Sequence, residues 1–201
     1  MTAIPVRGAH VLDGVLTVLA RDGLGALSVR SVAAAAGVSP AQVQYYFRTR
    51  AELVSAAFER ASDEFLAGLA ALGPGEPSLH RLRQLIWAWL PLEGDRQDRA
   101  RVWLAYAATA ATDEKLAAAS AKLDADLRTW FTTEFETLAR TGQVNPDVEP
   151  ATRAAQALAL IDGVTVQALT LPLDQRQTLV AQTLDTWLAQ LAPVRDPRFA
   201  R

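Results

Sequence analysis

The chain has no cysteine, which excludes disulfides, thiolate metal sites and cysteine nucleophiles. Histidine is nearly as scarce. His10 and His80 fall in different predicted domains, and neither stands in a His/Asp/Glu grouping with metal-ligand spacing. There is no G-x-G-x-x-G, no G-x-x-x-x-G-K-[S/T] and no G-x-S-x-G. The carboxylate pairs Asp113-Glu114 and Asp124/Asp126 point different ways on a helix, so they read as helix-end dipole partners and a solvated face. No alternating run is long enough for a convincing strand, and no internal repeat or low-complexity tract is present. The most apolar long stretch, Ala154 to Leu173, is interrupted by Gln156, Asp162, Gln167 and Pro172, which fits a buried helix better than a membrane span. The opening MTAIPVRGAH has no apolar h-region, so a cytoplasmic protein is expected. With so little catalytic equipment, the chain is not expected to be an enzyme, nor to carry a cofactor or a metal.

What is present is helical periodicity, punctuated by glycine and proline. The 201 residues, half of them hydrophobic, suffice for one or two domains. Charge is uneven: residues 1–50 hold Arg7, Arg21, Arg30, Arg48 and Arg50 against only Asp13 and Asp22, while the remainder is acidic. A small basic head on an acidic body suits a polyanion-binding module joined to something that avoids polyanions.

About nine helices are predicted, an all-α chain. The first runs from about Gly8 to Asp22, with Gly23 as a left-handed stop. Ser28 caps a second over Val29–Ala36, ended by Gly37, and Ser39-Pro40 starts a third. A fourth runs from near Arg50 to about Leu72. Five more follow at about 78–90, 95–111, 113–140, 149–171 and 174–191. GPGEP (Gly73 to Pro77) is the clearest break, so residues 1–50, with the connecting helix 50–72, form a head and 73–201 a larger body.

Two short helices joined at Gly37 fit a helix-turn-helix. On a helical wheel Val43 and Phe47 share one face and would pack inward. The opposite face carries Ala41, Gln42, Tyr45 and Arg48, with Gln44 and Tyr46 on its flanks. Glutamine can bond adenine edges twice, tyrosine hydroxyls reach phosphate oxygens and arginine supplies charge. The plainer alternative is that the tyrosines are amphipathic surface aromatics and that Gln42 closes a capping box with Ser39.

The stretch LSVRSVAAAAGVSPAQVQYYFRTRAELVSAAF, Leu27 to Phe58, resembles the DNA-binding domain of TetR-family transcriptional regulators. VQYYFRTRAEL together with ALIDGVTVQALTLP (Ala159 to Pro172) is most similar to the branch containing betaine-synthesis regulators. The resemblance implies a homodimeric regulator, most often a repressor, that binds a palindromic operator on double-stranded DNA and is released by a small-molecule effector. It further implies that Ser39, Ala41, Gln42, Gln44, Tyr45 and Tyr46 lie at or beside the major groove, with Arg30 near the backbone. Arg50 takes the place of a phosphate-binding lysine. Gln44 stands where many members have tyrosine, so no operator preference is carried over.

In the body, Leu158, Ile161, Thr165 and Leu169 form one apolar stripe and Val180, Leu184, Trp187, Leu188 and Leu191 another. Two such helices at the end of a chain suit a two-fold four-helix dimer interface. Aromatics gather in the middle helices, either as plain core or as an effector cavity. The candidate cavity set is Trp89, Trp103, Tyr106, Trp130 and Phe135, with Glu134 and Asp162 as polar contacts; a carboxylate among tryptophans would suit a cation. The alternative is a dimeric DNA-binding protein whose body is a solid scaffold with no ligand.

Overall fold

The computed structural model describes residues 6–71 and 75–193. Among these, regular structure consists of nine α-helices and one 3-10 turn, with no strand. The helices are α1 (Val6–Asp22), α2 (Val29–Ala36), α3 (Pro40–Tyr46), α4 (Arg50–Ala71), α5 (Leu79–Trp89), α6 (Asp95–Ala110), α7 (Glu114–Arg140), α8 (Pro150–Thr170) and α9 (Leu173–Leu191). Gly73 and Pro74 of the expected break lie outside the described residues, and 75–78 has no regular secondary structure.

Helix starts follow local hydrogen-bond chemistry. Ser28 and Ser31 form a reciprocal capping box, with the Ser31 N–H donating to Ser28 Oγ at 3.1 Å and the Ser28 N–H to Ser31 Oγ at 2.9 Å. Ser39 Oγ accepts from the Gln42 N–H (3.2 Å), with Pro40 at the first helical position. Asp113 Oδ1 accepts from the Leu116 N–H at 3.0 Å, and Glu149 Oε2 from the Thr152 N–H at 2.9 Å. Gly23 departs from expectation. Its φ is 76° but its ψ is 179°, the mirror-image extended conformation rather than a left-handed helical one. The chain there enters the 3-10 turn Leu24–Ala26 and delivers Leu27 to the core, an element no periodicity signalled.

Packing divides the chain into two units, one formed by 1–68 and 93–120, the other by 69–92 and 121–201. The expected head of 1–50 with its connecting helix 50–72 and the body of 73–201 are contiguous in sequence, whereas the first packing unit also takes in 93–120. Val102, Ala105 and Tyr106 of α6 are buried in the same cluster as Val11, Val15 and Leu19 of α1. Tyr106 stacks on Phe58 of α4 with centroids 4.0 Å apart, and Arg101 donates to the Ala20 carbonyl. These are long-range pairings that a composition break cannot reveal.

The second unit buries Leu82 and Ile86 of α5, Phe131, Phe135 and Leu138 of α7, Ile161 of α8 and Leu184 of α9. Two buried arginines tie its turns through backbone carbonyls. Arg153 reaches the Asn145 carbonyl, while Arg176 bonds those of Leu171 (3.0 Å) and Pro91 (3.3 Å). The carboxylates read as a solvated face are so placed: Asp124 pairs with Arg128 and Asp126 with Lys122, each at 2.6 Å and one helical turn apart.

Candidate nucleic-acid interface

The corner between α2 and α3 depends on two glycines. Gly37 takes φ 65° and ψ 32°, the left-handed conformation an L side chain resists, and both its N–H and that of Val38 (3.0 Å) donate to the Ala33 carbonyl. Gly14 of α1 makes a different contribution. A Cβ there would stand 2.8 Å from Ala36 Cβ, 3.0 Å from Ala36 N and 3.1 Å from the Val32 carbonyl oxygen, so α1 and α2 approach as closely as they do only because position 14 lacks one.

On α3, Val43 and Phe47 are buried against this platform. Half-buried Tyr46 also packs against that core, while Ala41, Gln44 and Arg48 are exposed and Gln42 is half-buried; Tyr45 is 80% exposed and meets Tyr46 edge-on at 5.1 Å. Gln42 turns its side-chain amide toward α1, placing Nε2 3.4 Å from His10 Nε2. Ser39 is engaged in capping, and Arg30 is exposed on α2. The start of α4 carries a second reciprocal cap. The Glu52 N–H donates to Thr49 Oγ1 at 3.1 Å while the Glu52 carboxylate accepts from the Arg48 N–H at 2.7 Å. The spacing T-x-x-E in TRAE was its visible signal. Arg50 donates to the Leu24 carbonyl, tying α4 to the 3-10 turn.

This arrangement offers amide, phenol and guanidinium groups on an exposed short helix whose other side is anchored, a form suited to a groove with base edges at its floor and phosphates on its walls. The comparisons agree. Residues 11–57 match the model of bacterial regulatory proteins of the TetR family, and residues 78–193 match that of the BetI-type transcriptional repressor C-terminal domain. The chain belongs to the TetR family of transcriptional regulators. It thus combines a DNA-binding N-terminal domain with the ligand-binding C-terminal domain of such regulators. A transcriptional regulator from Rhodococcus sp. Rha1 is 32% identical, covers 91% of this chain and 94% of its own, and superposes with a TM-score of 0.78. A transcriptional regulator from Saccharomonospora viridis in complex with choline is 21% identical, covers 88% and 95%, and has a TM-score of 0.76. The multidrug binding protein EbrR complexed with imidazole is 26% identical, covers 95% and 92%, and has a TM-score of 0.63. A search among curated proteins gave no match.

TetR-family membership accounts for the scarcity of catalytic groups, since such regulators are generally not enzymes. Among the described residues no group of three His, Cys, Asp or Glu side chains could hold a metal, and no helix is long and apolar enough to cross a membrane.

The aromatic residues expected to line an effector cavity are split. Trp103 and Tyr106 lie on α6 in the first unit, and Tyr106 is consumed by its stack on Phe58. Trp89, Trp130, Glu134, Phe135 and Asp162 lie in the second. There Trp89, Phe131, Phe135 and Trp187 form a row with successive centroids 6.4, 6.4 and 6.2 Å apart, and Trp130 meets Phe131 edge-on at 4.7 Å. Phe131 and Trp187 had not been placed in that set from the sequence. Glu134, one turn beyond Trp130, is half-buried, and burial raises its carboxyl pKa above the usual range. It has no ion-pair partner among the described residues. The Asp162 carboxyl is also raised, first by desolvation and then by Asp124, with Arg128 opposing. By surface area the residue is exposed.

The apolar stripes expected to meet a second copy are largely spent within the protomer. Ile161, Thr165, Val180, Leu184 and Leu188 are buried in its own core, and Leu169 and Trp187 are half-buried. Helical periodicity identifies an apolar stripe but not the partner that covers it.

Proposed function

We propose that this TetR-family protein is a cytoplasmic repressor that binds a palindromic operator as a homodimer and is released by a small-molecule effector. The observation that carries the reading is α3, anchored through Val43 and Phe47 with Gln42, Gln44, Tyr45, Tyr46 and Arg48 turned outward or half-outward. Gln42, Gln44 and Tyr45, with Ala41 allowing close approach, would meet base edges, while Ser39, Tyr46, Arg30, Arg48 and Arg50 serve the phosphates. Two-fold symmetry would repeat α3 about 34–36 Å away or more, one turn of the duplex or beyond.

The second copy would be met by the outer face of α8 and the start of α9, not by their inner stripes. Ala159, Asp162 and Thr170 are exposed there, with Val166 at 41% and Leu173 at 52% exposure. For the effector, the row from Trp89 to Trp187 with Trp130 and the half-buried Glu134 favours a small cation, which ring faces and a desolvated carboxylate attract together. Choline in the S. viridis relative is consistent with that class. Trp103 and Tyr106 would then contribute to the head's own packing. Repression and release require only that the effector bind the non-operator conformation more tightly than the operator-bound one. The linking elements would be α4 and α7, the helices that contribute residues to both units.

DNA affinity measured across a salt series for the wild type, Tyr46→Ala and Arg48→Ala tests the interface. Each substitution is expected to weaken binding on every duplex, and the loss of Arg48 to reduce the salt slope by about one unit. Unchanged affinities at moderate salt would remove α3 from the DNA.

A further inference from the structure

His10 is an exposed residue of α1, thirty-two positions before Gln42 in sequence, yet its Nε2 is 3.4 Å from the Gln42 amide nitrogen. We propose that His10 is a positioning residue for DNA specificity: its imidazole fixes the direction of the Gln42 amide and so the donor and acceptor order shown to a base pair. The proposal rests on the reading of α3 as the recognition helix.

The final torsion of a glutamine side chain is broad and roughly two-fold, so an unrestrained amide presents its N–H and its oxygen in either order. Bidentate reading of adenine needs one order only, with the N–H facing N7 and the oxygen facing the N6 amino group. A partner on the protein side removes that ambiguity. With the imidazole proton on Nδ1, Nε2 carries a lone pair and accepts one Gln42 N–H, leaving the amide oxygen and the second N–H for the groove. His10 lies one helical turn before Gly14, on the side of α1 that closes onto α2 at Ala36 and Val32, so the ring is carried on a rigid platform and not on a loop. Gln42 itself is held by its backbone bond to Ser39, so its side chain is the one remaining freedom at that position.

The test selects binding sites from a random duplex pool with four proteins: wild type, Gln42→Ala, His10→Phe and His10→Gln. Phenylalanine keeps a ring without an acceptor, while glutamine places a side-chain amide near the position of the imidazole Nε2. Gln42→Ala is expected to lose the preference at one base pair per half-site. His10→Phe is expected to relax that same base pair, by about tenfold in discrimination, with an unchanged salt slope and thermal midpoint. His10→Gln is expected to restore it. If Gln42→Ala relaxes a base pair that His10→Phe leaves intact, His10 has no positioning role although Gln42 still reads a base. If neither substitution alters the selected sequence, base reading by Gln42 fails and the proposal fails with it. A His10→Gln protein as relaxed as His10→Phe would also overturn it, since the effect would then be packing and not hydrogen bonding.

Discussion

Burial of Glu134 disfavours its charged form and pushes its carboxyl pKa above the ordinary 4.5. Below that ordinary value the folded and unfolded states are both protonated and nothing is lost. As pH rises through the folded-state pKa, the unfolded chain ionises more readily and stability falls. Glu134→Gln should therefore raise the thermal midpoint at pH 7, with the gain vanishing near pH 4; a gain that persists in acid would assign the effect to packing. Gly14 makes the opposite case. Gly14→Ala would drive a methyl against Ala36 and the Val32 carbonyl, positions that cannot rotate away, and should cost about 1–3 kcal/mol in urea unfolding. A neutral result would mean that α1 and α2 can separate freely. Gly37 could be read in the sequence because a helix stop has a local signature, whereas the reason for Gly14 lies across the helix pair and has none.

At the scale of elements, nearly all helices were legible because caps and periodicity are local. The Ser28, Ser39-Pro40 and Gly37 signals lie within a few residues of the structures they set. The 3-10 turn at Leu24–Ala26 was not, since three residues carry no period. The inward face of α3 was legible because Val43 and the C-cap Phe47 are the large aliphatic and phenyl side chains of that stretch, four residues apart. The stripes of α8 and α9 were recognised as apolar, but periodicity could not say that α5 and α7 of the same protomer cover them. The outer face gives the corresponding prediction: Val166→Glu with Leu173→Glu should turn a dimer into a folded monomer in sedimentation velocity. An undiminished dimer would move the interface elsewhere.

At the scale of the whole molecule, the sequence conveyed two domains and a basic head, but not that residues 93–120 pack with that head. Nor did it show that the expected cavity aromatics belong to two units, since side chains distant in sequence are sorted by tertiary packing alone. The effector reading predicts that choline raises the thermal midpoint of the wild type while its neutral carbon analogue 3,3-dimethylbutan-1-ol does not, and that Glu134→Gln reduces the difference. Equal responses to both compounds would remove the charge from the recognition.

The central claim is that the two heads of a dimer read a defined duplex sequence. Selection from a random duplex pool by the full-length protein at physiological salt tests it most directly. The account predicts recovery of an inverted repeat whose half-site centres are one or more helical turns apart. Recovery of no shared sequence, with affinity collapsing as salt is raised, would contradict it.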